Sequence, residues 1–221
     1  MANFAHELKT PLTSIIGYAD RIYHKEMSRE EQKKAAWYIW NEGMRLESLS
    51  LKLMDMTVLN HKDFVLQEMN AQVLFRELTN DVEYLMTEKG VAFRCSVEEA
   101  YIDVEYDLFK TLFLNLIDNA IKAGATNIQV RGVKCDKDYE IQVRDDGSGI
   151  PAQEIKRITE AFYMVDKSRS RKQHGAGIGL ALAEKIAQIH GGTLEFESDG
   201  ASWTKVSMRI QCKGAKGDEE K

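Results

Sequence analysis

The chain is predicted to be α+β, with a long helical hairpin followed by a region of shorter helices and a mostly antiparallel sheet. Three observations predict it. Apolar residues recur at alternating spacings of three and four from Leu8 to Ile22 and again from Leu46 to Met56, the period of a packed helical seam. Beyond about residue 90, short runs alternate apolar and polar residues, as strands with one buried face do. Before and between those runs, residues 70–88, 106–123 and 178–190 take a period near 3.6.

The first element spans residues 3 to 26, with a local bend expected at Pro11. Leu8, Leu12, Ile15, Ala19 and Ile22 fall within roughly 40° of one line on a helix. His6 points about 160° away from that line. Thr10, one turn on, shares its outward face, and Glu7 sits on the flank. Met27-Ser28 breaks the pattern, and Ser28 followed by Glu31 is a capping box that opens a second helix over 29–60. Leu46, Leu49, Leu53 and Met56 continue the seam. A lone hairpin covers its seams poorly, whereas two hairpins side by side make a four-helix bundle, so a homodimer is expected.

After Asn60 the pattern changes. Phe64-Val65-Leu66 reads as a short strand, 70–88 as a helix closed by Gly90, and 91–95 and 101–104 as strands. A strongly apolar helix over 106–123 ends at Gly124. Residues 127–134 and 138–145 pair as a hairpin across Asp136-Lys137. Residues 146–177 are rich in glycine, serine and charge, with one short helix expected at 151–160; so long a loop in a compact domain is usually a functional lid. Residues 178–190 are helical, and 193–197 and 203–210 are the last strands. The domains expected are 1–62, 63–212 and a charged, disordered tail at 213–221.

Composition narrows the function classes. With 43% hydrophobic and 29% charged residues, the 221-residue chain is ordinary for a soluble globular protein. A net charge of -5 offers no basic face for nucleic acid. No run of 18 apolar residues supplies a membrane segment, and no signal-peptide pattern is visible. Cys95, Cys135 and Cys212 are odd in number and far apart, which fits a reducing compartment and does not suggest a zinc site.

Three motifs carry chemistry. Asn115, Asn119 and Lys122 form a polar stripe on the apolar 106–123 helix. Polar groups on a largely buried helix need partners, and amide oxygens suit magnesium, which keeps waters and substrate phosphates in its shell. Lys122 can offset phosphate charge. Asp145-Asp146-Gly147-Ser148-Gly149 follows a strand, where an acid can accept from an exocyclic amine such as that of adenine and the glycines permit close backbone approach. Gly175-Ala176-Gly177-Ile178-Gly179-Leu180 leads into a helix whose N-terminus favours anions. It is neither a dinucleotide fingerprint nor a P-loop, since the βαβ context and the Gly-Lys-Ser/Thr are both absent.

The order and spacing of these stretches resemble the catalytic core of the sensor histidine kinases of two-component signalling. FAHELKTPL (4–12) resembles the family's phosphoacceptor box, NLIDNAIKA (115–123) its N box, DDGSGI (145–150) and GAGIGL (175–180) its two glycine boxes, and IHGG (189–192) the segment that follows. The resemblance covers residues 4 to about 210. It implies a dimerisation and phosphotransfer hairpin followed by a two-layer, Bergerat-type ATP-binding sandwich. It implies a protein-histidine kinase in which His6 takes the γ-phosphate of ATP and passes it to an aspartate of a response-regulator receiver domain. Glu7 would act as base, and Thr10 would place water for a phosphatase activity. Asn115 and Asn119 would hold magnesium, with Lys122, Asp145, Gly147, Gly149, Gly175, Gly177, Gly179 and Leu180 around the nucleotide.

One segment departs from the family. Where F-x-x-F usually precedes the lid, this chain has Thr159-Glu160-Ala161-Phe162, so the first Phe is missing. Relatives usually carry sensor regions upstream, so the resemblance also implies the cytoplasmic portion of a longer protein. Two alternatives remain at this point. ATPases of the gyrase and MutL type carry a water-activating glutamate where Asn115 stands. A dimeric signalling scaffold that has lost transfer would keep the fold but take up no phosphate.

Overall fold

The computed structural model describes residues 2–61, 63–165 and 177–213, with side chains from residue 8 onward and excluding that of residue 61. Helix α1 (Ala2–His24) runs through Pro11 and turns at 25–28 into α2 (Arg29–His61). The turn is closed by the expected box. The Ser28 N–H and hydroxyl donate to the Glu31 carboxylate at 2.9 and 2.8 Å, and the Glu31 N–H donates back to Ser28 Oγ at 3.3 Å.

Two apolar stripes run along α2. One holds Leu49, Leu53 and Met56 and faces its own chain, so Leu49 is buried. The seam read from sequence is therefore partly consumed within one protomer. A second stripe, Trp37, Trp40, Met44, Leu51, Met54 and Val58, keeps the same three-four period and is exposed, with Trp40 at 62% and Met54 at 63%. On α1 the outward apolar residues are Leu12, Ile16, Ile22 and Tyr23.

The second region is a two-layer sandwich. Strands β1 (Gln67–Asn70), β2 (Ala92–Val97), β3 (Tyr101–Val104), β4 (Asn127–Cys135), β5 (Asp138–Asp145), β6 (Leu194–Ser198) and β7 (Thr204–Lys213) form one sheet. Its order is β1-β3-β7-β5-β4-β2, with β6 on β7. The β2–β4 pair is parallel and the other pairs are antiparallel. Helices α3 (Ala71–Lys89), α4 (Tyr106–Lys122) and α5 (Gly179–Ile189) pack on it through Leu78, Phe113 and Ile186, all buried. Asn70 caps α3 by accepting from the N–H groups of Gln72 and Val73 at 2.9 and 3.2 Å. Gly90 ends that helix at φ 66°.

Two expectations are corrected. The strand expected at Phe64–Leu66 lies three residues later, because pairing with β3 begins at Gln67 opposite Val104. The short helix expected at 151–160 is a series of turns. It is held by i→i−3 bonds such as Glu154 N–H to the Pro151 carbonyl at 2.8 Å, and a string of such turns lacks the regular ladder of an α-helix. The tail expected from Lys213 lies outside the described residues beyond β7, which itself runs to Lys213.

Candidate functional site

The site grows out of the alternation on β5. Tyr139, Ile141 and Val143 point into the core, and the same period of two turns the next inward position, Asp145, to the interior at the strand's end. Asp145 is 7% exposed. Its Oδ1 accepts from the Gly147 N–H at 2.9 Å, and burial pushes its carboxyl above the usual carboxylate range. Thr204, buried and opening β7, stands directly opposite it in the register.

Asp146 points the other way. It accepts from the N–H groups of Thr126 and Asn127 at 2.7 and 2.8 Å, which braces the α4–β4 turn. Those bonds hold its carboxyl below the usual range. The two neighbouring acids thus divide into one that faces the cleft and one that fastens the loop.

Helix α4 supplies the opposite wall. Its apolar residues Phe109, Phe113, Leu116 and Ile117 are buried, and this fixes the angle at which Asn115, Asn119 and Lys122 emerge. The Asn115 amide donates to the Thr111 carbonyl at 2.8 Å, which leaves its Oδ1 turned toward Gly179. Asn119 Nδ2 is buried without a partner among the described residues. Lys122 Nζ lies 2.6 Å from Asp118 Oδ2.

The first turn of α5 closes the cleft. Gly177, at φ 66°, passes so near Phe162 and Tyr163 that a Cβ would stand 2.7 Å from the Tyr163 carbonyl oxygen. A Cβ on Gly179 would stand 2.8 Å from Asn115 Oδ1. Its N-cap, Ile178, has no side-chain acceptor to cap it, and its first N–H groups lie at the cleft beside Gly179 and Leu180. The Phe162 N–H donates to the Gly177 carbonyl at 2.8 Å, which ties together the two chain segments flanking 166–176. Beside it, the Arg157 guanidinium lies 4.0 Å over the Tyr163 ring, and the Tyr163 hydroxyl donates to Glu154.

One cleft therefore brings together Asn119, Lys122, Asp145, Gly149, Gly177, Gly179 and Leu180. Asn115 and Gly147 stand just behind its wall, at Gly179 and Asp145 respectively. Gly175 lies outside the described residues, as do the side chains of His6 and Glu7, although the backbone of both is helical in α1. Thr10 is exposed on α1. Sequence reasoning missed Lys52, Thr204, Phe196 and Ile158, which also line the cleft. Thr204 could have been found from its place opposite Asp145, but only once the β5–β7 register was known.

These residues fit a magnesium–nucleotide complex. The apolar walls end in a buried carboxylate on one side. The other side carries a lysine, the buried Asn119 Nδ2 and the N-terminus of α5, donors suited to phosphate, while the Asn115 Oδ1 at Gly179 is an oxygen suited to a hard cation.

The comparisons agree with this geometry. Residues 1–61 match the family described as His Kinase A (phospho-acceptor) domain, and residues 104–214 match the histidine kinase-, DNA gyrase B-, and HSP90-like ATPases. The chain is 28% identical over 229 residues to the sensor histidine kinase WalK of Bacillus subtilis (strain 168), covering 99% of this chain and 37% of that protein. It is 28% identical over 230 residues to the sensor histidine kinase RcsC of Escherichia coli (strain K12), covering 100% and 24%. The chain thus spans well under half the length of both relatives. Among solved structures, the Acinetobacter baumannii histidine kinase AdeS superposes with a TM-score of 0.70 at 16% identity, over 93% of this chain and 97% of that one. Histidine kinase ThkA, solved in complex with response regulator protein TrrA, gives 0.77 at 22%, over 96% and 60%. With a phospho-acceptor hairpin leading into an ATPase sandwich of that family, the chain belongs to the histidine kinases.

Proposed function

We propose that this chain is an ATP-dependent protein-histidine kinase that phosphorylates itself on His6 and passes the phosphoryl group to an aspartate of a response regulator. The observation that carries the reading is the cleft itself, with Asp145 at one end and Asn119 and Lys122 at the other, in a chain whose first helix bears the His-Glu-x-x-Thr turn His6-Glu7-Leu8-Lys9-Thr10. The division into a phosphotransfer hairpin at 1–62 and a catalytic domain at 63–212 belongs to the same proposal.

Asp145 accepts from the adenine amino group, and Thr204 lies beside it. Asn115 and Asn119 would hold magnesium through their amide oxygens, where the ion would neutralise charge on the triphosphate. Lys122 and the first N–H groups of α5 face the phosphate oxygens. The neutral His6 imidazole attacks the γ-phosphorus in line while the bond to the β,γ-bridging oxygen breaks and ADP leaves; Glu7 takes the ring proton. Most of the acceleration in such transfer comes from positioning and charge stabilisation. Thr10, one helical turn from His6, places water for a phosphatase step in which the regulator's aspartyl phosphate is hydrolysed to aspartate and free phosphate.

The exposed stripes of α1 and α2 support a homodimer, in which two hairpins cover each other as a four-helix bundle. Among the described residues no helix is long and apolar enough to cross a membrane. A cytoplasmic position, as part of a longer sensor, goes with the proposed partner. The test is incubation with γ-labelled ATP and magnesium. The label should become protein-bound, acid-labile and base-stable, and His6→Gln should abolish it while binding nucleotide normally. Release of free phosphate with no protein-bound label would instead support a simple ATPase.

A further inference from the structure

One cleft residue comes from the hairpin. Lys52 stands on α2 one turn beyond Leu49, which is buried against Ile178 with Phe162, Leu53 and Met56 packed around it. Further along, Leu59 joins the main core of the sandwich. This docked face of α2 brings Lys52 into the wall of the cleft that holds Asn119, Lys122 and Asp145. The Lys52 ammonium is half-buried. Burial first, and the charge of Lys122 second, weaken its hold on its proton, partly offset by Asp118 and Asp55. Asp118 is already paired with Lys122 at 2.6 Å, and among the described residues no carboxylate lies within ion-pair distance of Lys52. Lys52 and Lys122 thus set two ammonium groups at this end of the cleft, which favours an anion.

We propose that Lys52 is a phosphate-binding residue of the nucleotide site contributed by the hairpin, so that the phosphate end of the nucleotide bridges hairpin and sandwich. The proposal rests on the nucleotide reading of the cleft. It makes hairpin docking and triphosphate binding two sides of one equilibrium: each strengthens the other by the same factor. Adenosine, which lacks phosphate, has no such coupling.

The test is calorimetric titration of the whole chain with magnesium and a non-hydrolysable ATP analogue, and separately with adenosine. Lys52→Met keeps the aliphatic stem and removes the charge; Lys52→Arg keeps the charge; Asp145→Asn serves as a control at the other end. Lys52→Met should weaken the analogue about tenfold and flatten its salt dependence, leave adenosine unchanged, and melt like the parent chain. Lys52→Arg should stay within about threefold of the parent. Unchanged analogue affinity in Lys52→Met, equal losses in both variants, or a parallel loss for adenosine would each overturn the assignment. If the Lys52 variants are silent but Asp145→Asn weakens both ligands, the Lys52 proposal alone fails. If Asp145→Asn is silent as well, the nucleotide reading of the cleft fails with it.

Discussion

The hairpin and the sandwich solve the same burial problem to different degrees. In the sandwich, Phe75, Phe109 and Phe113 meet edge to face at centroid distances of 5.9 and 6.1 Å, and helices α3, α4 and α5 cover the inner face of the sheet. That core is complete in one protomer. The hairpin buries Ala35, Leu49 and Leu59 but leaves a three-four stripe from Trp37 to Val58 in water. A region that satisfies its own apolar surface folds as a unit, whereas one that leaves such a stripe exposed offers an interaction surface. In the proposed function the sandwich supplies most of the nucleotide cleft, the hairpin adds Lys52 to it, and the exposed stripe of the hairpin assembles.

Substitutions can break or sharpen that contrast. The largest expected effect is Phe113→Ala, which opens a hole in the aromatic cluster and should cost about 3–5 kcal/mol of sandwich stability. Thermal or denaturant melts should show the loss equally at every protein concentration. Met54→Asp puts a charge into the exposed stripe and should cost about 2–3 kcal/mol of association, with little change to either region's fold. Sedimentation should then show monomers at concentrations where the parent chain is a dimer; a mutant that still sediments as a dimer would place the interface elsewhere. Leu49→Asp is a poorer test of assembly, because Leu49 packs on Ile178 within one chain.

Asn70→Ala removes the two-bond cap of α3 and should cost about 1 kcal/mol, seen as a small drop in the sandwich melting temperature. The smallest effect is a pH dependence. His190 accepts from the Glu105 N–H at 3.1 Å and donates through Nδ1 to the Ile186 carbonyl at 2.8 Å, so it is held neutral, and burial lowers its pKa below the ordinary 6.5. A depressed histidine binds its proton more readily in the unfolded chain. Its contribution is therefore fully present above about pH 6.5 and is lost as pH falls through that value toward the folded pKa. Melting of the sandwich between pH 7.5 and about 5.5 should show the decline, and His190→Gln should flatten it.

Local chemistry made much of this legible in the sequence. The Ser28/Glu31 box, the Gly90 stop and the β4–β5 hairpin across Asp136-Lys137 each depend on residues close in the chain, and each forms as read. The strand and helix periods were enough to set Asn119 and Lys122 on one face of α4. Long-range partners were not legible. Nothing local said that Gln67, and not Phe64, would start the pairing with β3, or that β2 would run parallel to β4. Lys52 belongs to a helix read only as a dimer seam, and its role depends on a dock onto Ile178 more than a hundred residues away. A cation flanking an apolar stripe was the one available signal. Thr204 shows the same limit, since it meets Asp145 only through the sheet register.

The most direct test of the account is to find where the phosphate goes. After incubation with magnesium and ATP, the protein should be digested and its phosphopeptides mapped at neutral to basic pH, where phosphohistidine survives. The chain holds histidines at positions 6, 24, 61, 174 and 190. The account predicts phosphate on the peptide containing His6 and on none of the other four, with the signal lost in His6→Gln. Phosphate on another histidine, or acid-stable phosphate on a hydroxyl side chain in place of His6, would contradict it.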